Sequence, residues 1–130
     1  MRVLLDTRVF LWFHTDPERL LPHLALLEDL DNELLVSTVV PWEIAVKHQA
    51  GRLDLPEPPE VYVPARMSAI KARSVPVEQT HALAVASLPP IHRDPFDRML
   101  VAQERQLGAP IMTADPAISA YPVETMMVEN

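Results

Sequence analysis

Five short apolar runs are spread along the chain, and each predicts a β-strand. Most of them are continuously apolar rather than alternating, which is typical of strands that are covered on both faces. The third run contains a proline, so we expect it to form at most an edge strand. The runs are RVLLD (2–6), ELLVS (33–37), SVPV (74–77), PIMT (110–113) and ETMMV (124–128).

Segments with helical character separate these runs. Pro41 occupies a plausible first helical position, and Gly51 and Gly108 follow last turns, where helices favour glycine. The predicted helices are 17–30, 41–50, 60–72, 79–88 and 95–107, with a short helical turn after Asp115. We interpret the proline-dense stretch 51–60 as a loop. The alternation predicts a single α/β domain over residues 1–130, with a mostly parallel sheet of four to five strands.

The composition excludes several kinds of chemistry. The chain is 48% apolar and 22% charged, as expected for a globular protein, and it has no cysteine. Disulfides, zinc–thiolate sites and thiol catalysis are therefore excluded. The only glycines, Gly51 and Gly108, cannot form a G-x-G-x-x-G motif or a P-loop.

The net charge limits the possible partners of the chain, and its apolar runs indicate its expected location. The formal net charge of −7 disfavours broad binding to a phosphate backbone and suits a cation or a basic partner. Asp6 and Arg8 interrupt the first apolar run, and no small-residue cleavage site follows it, which argues against a signal peptide. No stretch approaches the roughly 18 consecutive apolar residues of a membrane-spanning helix. We expect a cytoplasmic protein that is not in a membrane.

Carboxylates follow the predicted strands in a pattern that brings them together. Asp6 closes the first strand, and Asp115 lies two residues beyond the fourth. Asp94 and Asp97 open a helix, and Glu43 lies in the first turn of another. In parallel sheets, ligands bind beyond the carboxyl ends of the strands, where the following helices begin. These acids are therefore expected at one edge of the sheet.

Most of these acids also have an ordinary structural explanation. Asp94 and Asp115 each precede a proline and could be helix N-caps. Asp97 would then lie in the first turn, where the helix dipole favours an acid. Glu43 could pair with Lys47 across one helical turn.

Asp6 is harder to explain in this way. A carboxylate that closes an apolar strand should be partly buried and needs a partner. Several converging carboxylates stay ionised at neutral pH only if a cation compensates their repulsion. Oxygen ligands of this kind suit Mg²⁺ or Mn²⁺.

Four segments resemble one known family in their order and spacing. They are VLLDTRVFLW (3–12), VSTVVPWEIAVKHQAGRLDLP (36–56), LPPIHRDPFDRMLVAQ (88–103) and TADPAISAYPV (113–123). Together they resemble a PIN-domain ribonuclease of the VapC toxin type, from a bacterial toxin–antitoxin pair. The resemblance implies a PIN-like three-layer α/β/α sandwich.

The resemblance also implies a set of site residues. The acidic quartet that would bind metal and catalyse corresponds to Asp6, Glu43, Asp97 and Asp115, with Asp6 and Asp97 as the main direct ligands. Supporting positions correspond to Asp94, Ser37 and Thr113, and Thr7 could hydrogen-bond in the same site. Apart from the resemblance, four cations flank the acids in the sequence and could contact RNA or be ordinary solvated surface charges: Arg8, Lys47, Arg93 and Arg98. The chain departs from the commonest family pattern at Arg8, where histidine is expected, and at Pro41.

The implied activity is Mg²⁺- or Mn²⁺-dependent endonucleolytic hydrolysis of RNA, in which a metal-activated water attacks the phosphodiester. The products would carry a 5′-phosphate and a 3′-hydroxyl. The implied partners are a cognate antitoxin and a second copy of the chain, in a homodimer and in toxin–antitoxin hetero-oligomers. His92 is expected to be structural or exposed, and Trp12 and Trp42 to be core or interface residues.

Two other functions remain open from the sequence. A catalytically silent PIN-like module that binds RNA or protein would be expected to lack some of the acids, yet all four are present. A phosphotransferase with Asp6 as nucleophile would need a second aspartate two residues on, where this chain has Arg8.

Overall fold

The sheet is five-stranded and parallel throughout. The structure is a computed structural model and describes residues 1–129. The strands lie in the order β3-β2-β1-β4-β5, and every neighbouring pair is parallel. Their bounds are Arg2–Leu5 (β1), Glu33–Ser37 (β2), Arg73–Val75 (β3), Ile111–Thr113 (β4) and Thr125–Met127 (β5). The predicted parallel sheet is confirmed, and the proline-containing run forms an edge strand, as expected.

Helices cover both faces of this sheet. The α-helices are Thr7–Thr15 (α1), Leu24–Glu28 (α2), Val39–Gln49 (α3), Pro59–Ala69 (α4), Gln79–Ala84 (α5), Pro95–Leu107 (α6) and Pro116–Ser119 (α7). Val3 and Leu5 pack with α1 to α4 on one face, whereas Leu4 packs with α5 to α7 on the other. Successive strand residues point to opposite faces, so β1 contributes to two apolar layers. The expected α/β/α sandwich is confirmed.

Several predicted helices differ from those of the structure. Helix α1 was not predicted, and the single helix expected over 17–30 is wrong. That segment forms a 3₁₀ turn, Pro17–Leu20, and then the short helix α2. Pro22 lies between them, and a proline lacks the N–H of a continuous helix and pushes the preceding residue into extended backbone. Leu21 has the expected ψ of 139°.

Smaller differences occur at other helix ends. Helix α3 begins at Val39, so Pro41 occupies its third position rather than its first. The helix expected over 79–88 ends at Ala84 and continues as the 3₁₀ turn Val85–Ser87. Helix α6 has the predicted bounds and ends at Gly108, whose φ of 69° lies in the left-handed region that glycine adopts without steric cost.

The strand order creates a topological switch point beside β1. Strand β2 lies on one side of β1 and β4 on the other, so the chain reverses its direction of winding there. Leu5 pairs with Met112, which brings the carboxyl ends of β1 and β4 side by side. Ligands of open parallel sheets bind at such a switch point. Over residues 1–129, no helix is long and apolar enough to cross a membrane.

Candidate active site

Asp6 lies at the switch point and joins β1 to α1. The residue is 4% exposed, and its carboxylate caps α1 by accepting a 2.8 Å hydrogen bond from the Val9 N–H. Thr113, at the end of β4, also hydrogen-bonds to it. Burial is the largest influence on this group and raises the pKa of Asp6 to about 6, although Thr113, Val9 and Arg8 oppose the shift. A proton or a cation therefore stabilises the buried carboxylate.

Asp94 and Asp97 stand together at the beginning of α6. The Asp94 side chain accepts hydrogen bonds from the N–H groups of Phe96 (2.8 Å) and Asp97 (3.2 Å), which confirms that it is the predicted N-cap. Asp97 lies in the first turn. Burial, followed by the charge of Asp94, raises the pKa of Asp97 to about 7, and the hydrogen bond from His92 opposes this.

Glu43 is buried on α3 and is held by two partners. The Thr7 hydroxyl donates to one carboxylate oxygen, and the Lys47 ammonium donates to the other. The pairing of Glu43 with Lys47 across one helical turn is therefore confirmed. This ion pair leaves Glu43 in the candidate site, because Glu43 and Lys47 line the same pocket as Asp6 and Asp97.

Asp115 completes the set from the loop after β4. Its side chain caps α7 through the Ala117 N–H at 2.9 Å, as predicted. Its own N–H donates to the Thr113 hydroxyl at 3.0 Å. The Ser37 hydroxyl is buried and accepts from the Val39 N–H at 3.1 Å, so it fixes the start of α3. Ser37 thus acts on the backbone that presents Glu43.

These side chains enclose one small pocket at the sheet edge. Its volume is about 130 Å³, and it is lined by Asp6, Thr7, Arg8, Glu43, Lys47, Asp94, Asp97 and Asp115. Five carboxylates face two cationic side chains there. This excess of oxygen ligands fits a hard divalent cation, because the two carboxyls with raised pKa values lose their protons more readily beside one.

His92 belongs to this site, although the sequence analysis gave it no role. Its Nε2 atom lies 2.9 Å from Oδ2 of Asp97 and 3.2 Å from Oδ2 of Asp115. The imidazole therefore bridges two of the four predicted acids. Its place in HRDPFD, five residues before Asp97, is the only signal in the sequence, and loop geometry decides whether such a neighbour turns inward.

The predicted RNA-contacting cations have different environments. Arg8 lines the pocket and stacks on the Trp12 ring at 4.8 Å, and Lys47 lines it beside Glu43. Arg93 is exposed next to Asp94.

Arg98 has a structural role in the protein. Its guanidinium donates to the carbonyl oxygens of Pro89, Val85 and His92 and to the Tyr121 hydroxyl, at 3.1 to 3.4 Å. These four hydrogen bonds tie the loop before α6 to the rest of the protein. The RNA contact of Arg98 stays a prediction, and these bonds direct its guanidinium to the loop.

Tyr121→Phe is expected to lower the free energy of unfolding by about 1 to 2 kcal/mol, because it removes the acceptor of the His92 N–H and of Arg98. Chemical denaturation measures this loss. Tyr62→Phe is the matched control, since the buried Tyr62 hydroxyl has no hydrogen-bond partner among residues 1–129. Equal effects in the two variants would contradict the assigned role of Tyr121.

A parallel sheet with carboxylates gathered at its switch point defines a class of α/β proteins with an acidic site at the sheet edge. Within this class, the model of the PIN domain family matches residues 3–124. The chain therefore belongs to the PIN domain family.

Individual proteins resemble this chain over part of its length or at low sequence identity. The chain is 37% identical over 57 residues to Ribonuclease VapC16 of Mycobacterium tuberculosis, a match that covers 44% of this chain and 40% of that protein. VapBC2 from Rickettsia felis, solved with a promoter DNA fragment, has a similar structure (TM-score 0.75, 13% identity, 99% of this chain and 100% of that chain). VapBC from Salmonella typhimurium, solved with DNA, has a TM-score of 0.66 at 14% identity, over 96% of each chain. These structural likenesses confirm the fold.

Proposed function

We propose that the protein is a divalent-metal-dependent endoribonuclease and the toxin of a toxin–antitoxin pair. One observation carries the proposal: all four acids expected from the sequence line one pocket of about 130 Å³. The partial match to Ribonuclease VapC16 supports RNA as the substrate. A catalytically silent module would not need to keep this set of carboxylates together.

Asp6 and Asp97 would bind the metal directly, as the two acids of this pocket whose pKa values are raised by burial. Glu43 and Asp115 would act through waters or hold a second ion. When bound, Mg²⁺ or Mn²⁺ supplies Lewis acidity that activates a water and neutralises the phosphoryl oxygens. Asp94 fixes the beginning of α6 and so positions Asp97.

RNA must approach a chain with a net charge of −7, so cations close to the pocket carry its recognition. Arg8 and Lys47 line the pocket itself, and Arg93 is exposed and precedes the lining residue Asp94 in the sequence. The N-terminus of α6 adds a positive dipole end near the site, although Asp94 already accepts its Phe96 and Asp97 N–H groups.

The antitoxin would cover an apolar surface and bring basic side chains to an acidic protein. A groove of about 460 Å³ between α3 and α4 is lined by Pro41, Ala45, Pro59, Glu60, Val63 and Pro64. Trp42, Val46 and Val61 are exposed on the same two helices. These residues offer surface for an antitoxin or for a second copy in a cytoplasmic homodimer.

Purified protein is expected to cleave RNA when Mn²⁺ or Mg²⁺ is added and to stop when EDTA removes the ion. Asp6→Asn should lose this cleavage. Asp54→Asn is the matched control, since Asp54 is an exposed carboxylate in the loop after α3. Equal cleavage by both variants would assign the activity to a contaminating nuclease. Binding of Mn²⁺ without cleavage of any candidate RNA would favour a binding module.

A further inference from the structure

The imidazole of His92 faces the carboxylates of the pocket, and the acidic quartet does not include it. Its Nε2 atom lies 2.9 Å and 3.2 Å from oxygens of Asp97 and Asp115. His92, Asp94 and Asp97 each offer one possible ligand atom, and these three atoms lie within 4.8 Å of one another. The side chain of His92 is 25% exposed, so its ring is partly buried where it contacts these acids.

Contacts that do not involve the carboxylates hold this residue in place. The His92 N–H donates to the Tyr121 hydroxyl at 2.9 Å, and the His92 carbonyl accepts from Arg98 at 3.4 Å. Arg98 also donates to Tyr121 at 3.1 Å. Because the backbone is anchored on both sides of the residue, the imidazole is positioned before any ion arrives, as a preorganised ligand should be.

We propose that His92 is a nitrogen ligand of the divalent ion in this pocket, beside the carboxylate of Asp97. The inference rests on the proposed metal-dependent function and deepens it by naming the donor set. Two neighbouring ligands of an octahedral ion, each about 2.1 Å from the metal, lie about 3 Å apart. The distances from Nε2 to the two aspartate oxygens match this spacing.

The nitrogen donor would change which metal the site prefers. Carboxylates and water suit Mg²⁺, whereas imidazole suits later transition ions. A mixed nitrogen and oxygen set would therefore bind Co²⁺ more tightly than an all-oxygen site of the same charge, with little gain for Mg²⁺. An imidazole that only donates a hydrogen bond to Asp97 and Asp115 would leave this selectivity unchanged.

Electron spin-echo measurements on the Mn²⁺-loaded protein test the bond directly. We expect modulation from a coordinated ¹⁴N nucleus in the wild type and in the control His48→Gln, whose histidine lies in the last turn of α3 and is not part of the group of possible ligands around His92. His92→Gln should lose the modulation but keep bound Mn²⁺. Bound Mn²⁺ without ¹⁴N modulation in the wild type would overturn the proposal and leave the nuclease intact.

Calorimetry with Co²⁺ and Mg²⁺ gives a second measurement. His92→Gln, which retains an N–H group at a similar distance, is expected to weaken Co²⁺ binding about tenfold or more and Mg²⁺ binding less than about threefold. Equal losses for both ions would overturn the nitrogen ligand. Failure of the wild type to bind any of these ions would overturn the metal-dependent function itself, together with this inference.

Discussion

Asp97→Asn is expected to lower the rate of RNA cleavage by about 1000-fold, whereas Asp94→Asn should keep most of it. Asp97 lines the pocket with its carboxylate, and losing a metal ligand removes several kcal/mol of stabilisation from the transition state. Asp94 accepts two backbone hydrogen bonds as the N-cap of α6. Asparagine caps a helix about as well as aspartate.

Single-turnover cleavage of one labelled RNA at saturating Mn²⁺ measures both variants. Their thermal unfolding should be compared first, so that a lost fold is not mistaken for a lost ligand. The roles assigned to the two residues would be contradicted by equal losses of activity. They would also be contradicted by a larger loss in Asp94→Asn, which would make Asp94 the direct ligand.

The metal-free protein is expected to become less stable, relative to Asp6→Asn, as the pH rises from about 4 to about 8. The folded-state pKa of Asp6 is raised to about 6 from 3.8, because the carboxyl is buried. Between those values the folded state binds more protons than the unfolded state, so raising the pH favours unfolding. The change from this one group amounts to about 3 kcal/mol. Asp97 is present in both proteins, so the effect of its own raised pKa cancels in this comparison to a first approximation.

Denaturation of both proteins across this pH range, in EDTA, measures the difference. Mn²⁺ should then stabilise the wild type increasingly with pH, because the ligands must be deprotonated to bind it, and it should stabilise Asp6→Asn much less. A wild type that gains stability relative to Asp6→Asn between pH 4 and pH 8 without metal would contradict the burial of an ionisable Asp6.

The sheet and its carboxyl edge could be predicted because continuous apolar runs mark buried parallel strands. The edge position of β3 followed from Pro76 in its run. Helix α1 was missed because apolar residues resume at Val9 after a break of only three residues beyond β1, so this short polar break is all that marks the change from strand to helix. At Pro22 the error was the reverse, because a continuous helix was predicted where the proline, which lacks an N–H, interrupts it.

The acids of the site were predictable for the same reason as the sheet. Asp6 and Asp115 follow strands, and the end of a parallel strand fixes where the next residue lies. His92 was not predictable, because the position of its loop depends on hydrogen bonds to Tyr121, 29 residues away. Arg98 was assigned to RNA because it lies next to Asp97 in the sequence, but its side chain turns to the loop carbonyls.

Analysis of the cut RNA ends tests metal-dependent hydrolysis at the acidic pocket most directly. RNA treated with the wild type in Mn²⁺ should gain new ends that carry a 5′-phosphate and a 3′-hydroxyl, and these ends should be absent with EDTA and with Asp97→Asn. New ends that carry a 2′,3′-cyclic phosphate, or that persist unchanged in Asp97→Asn, would contradict the proposed function.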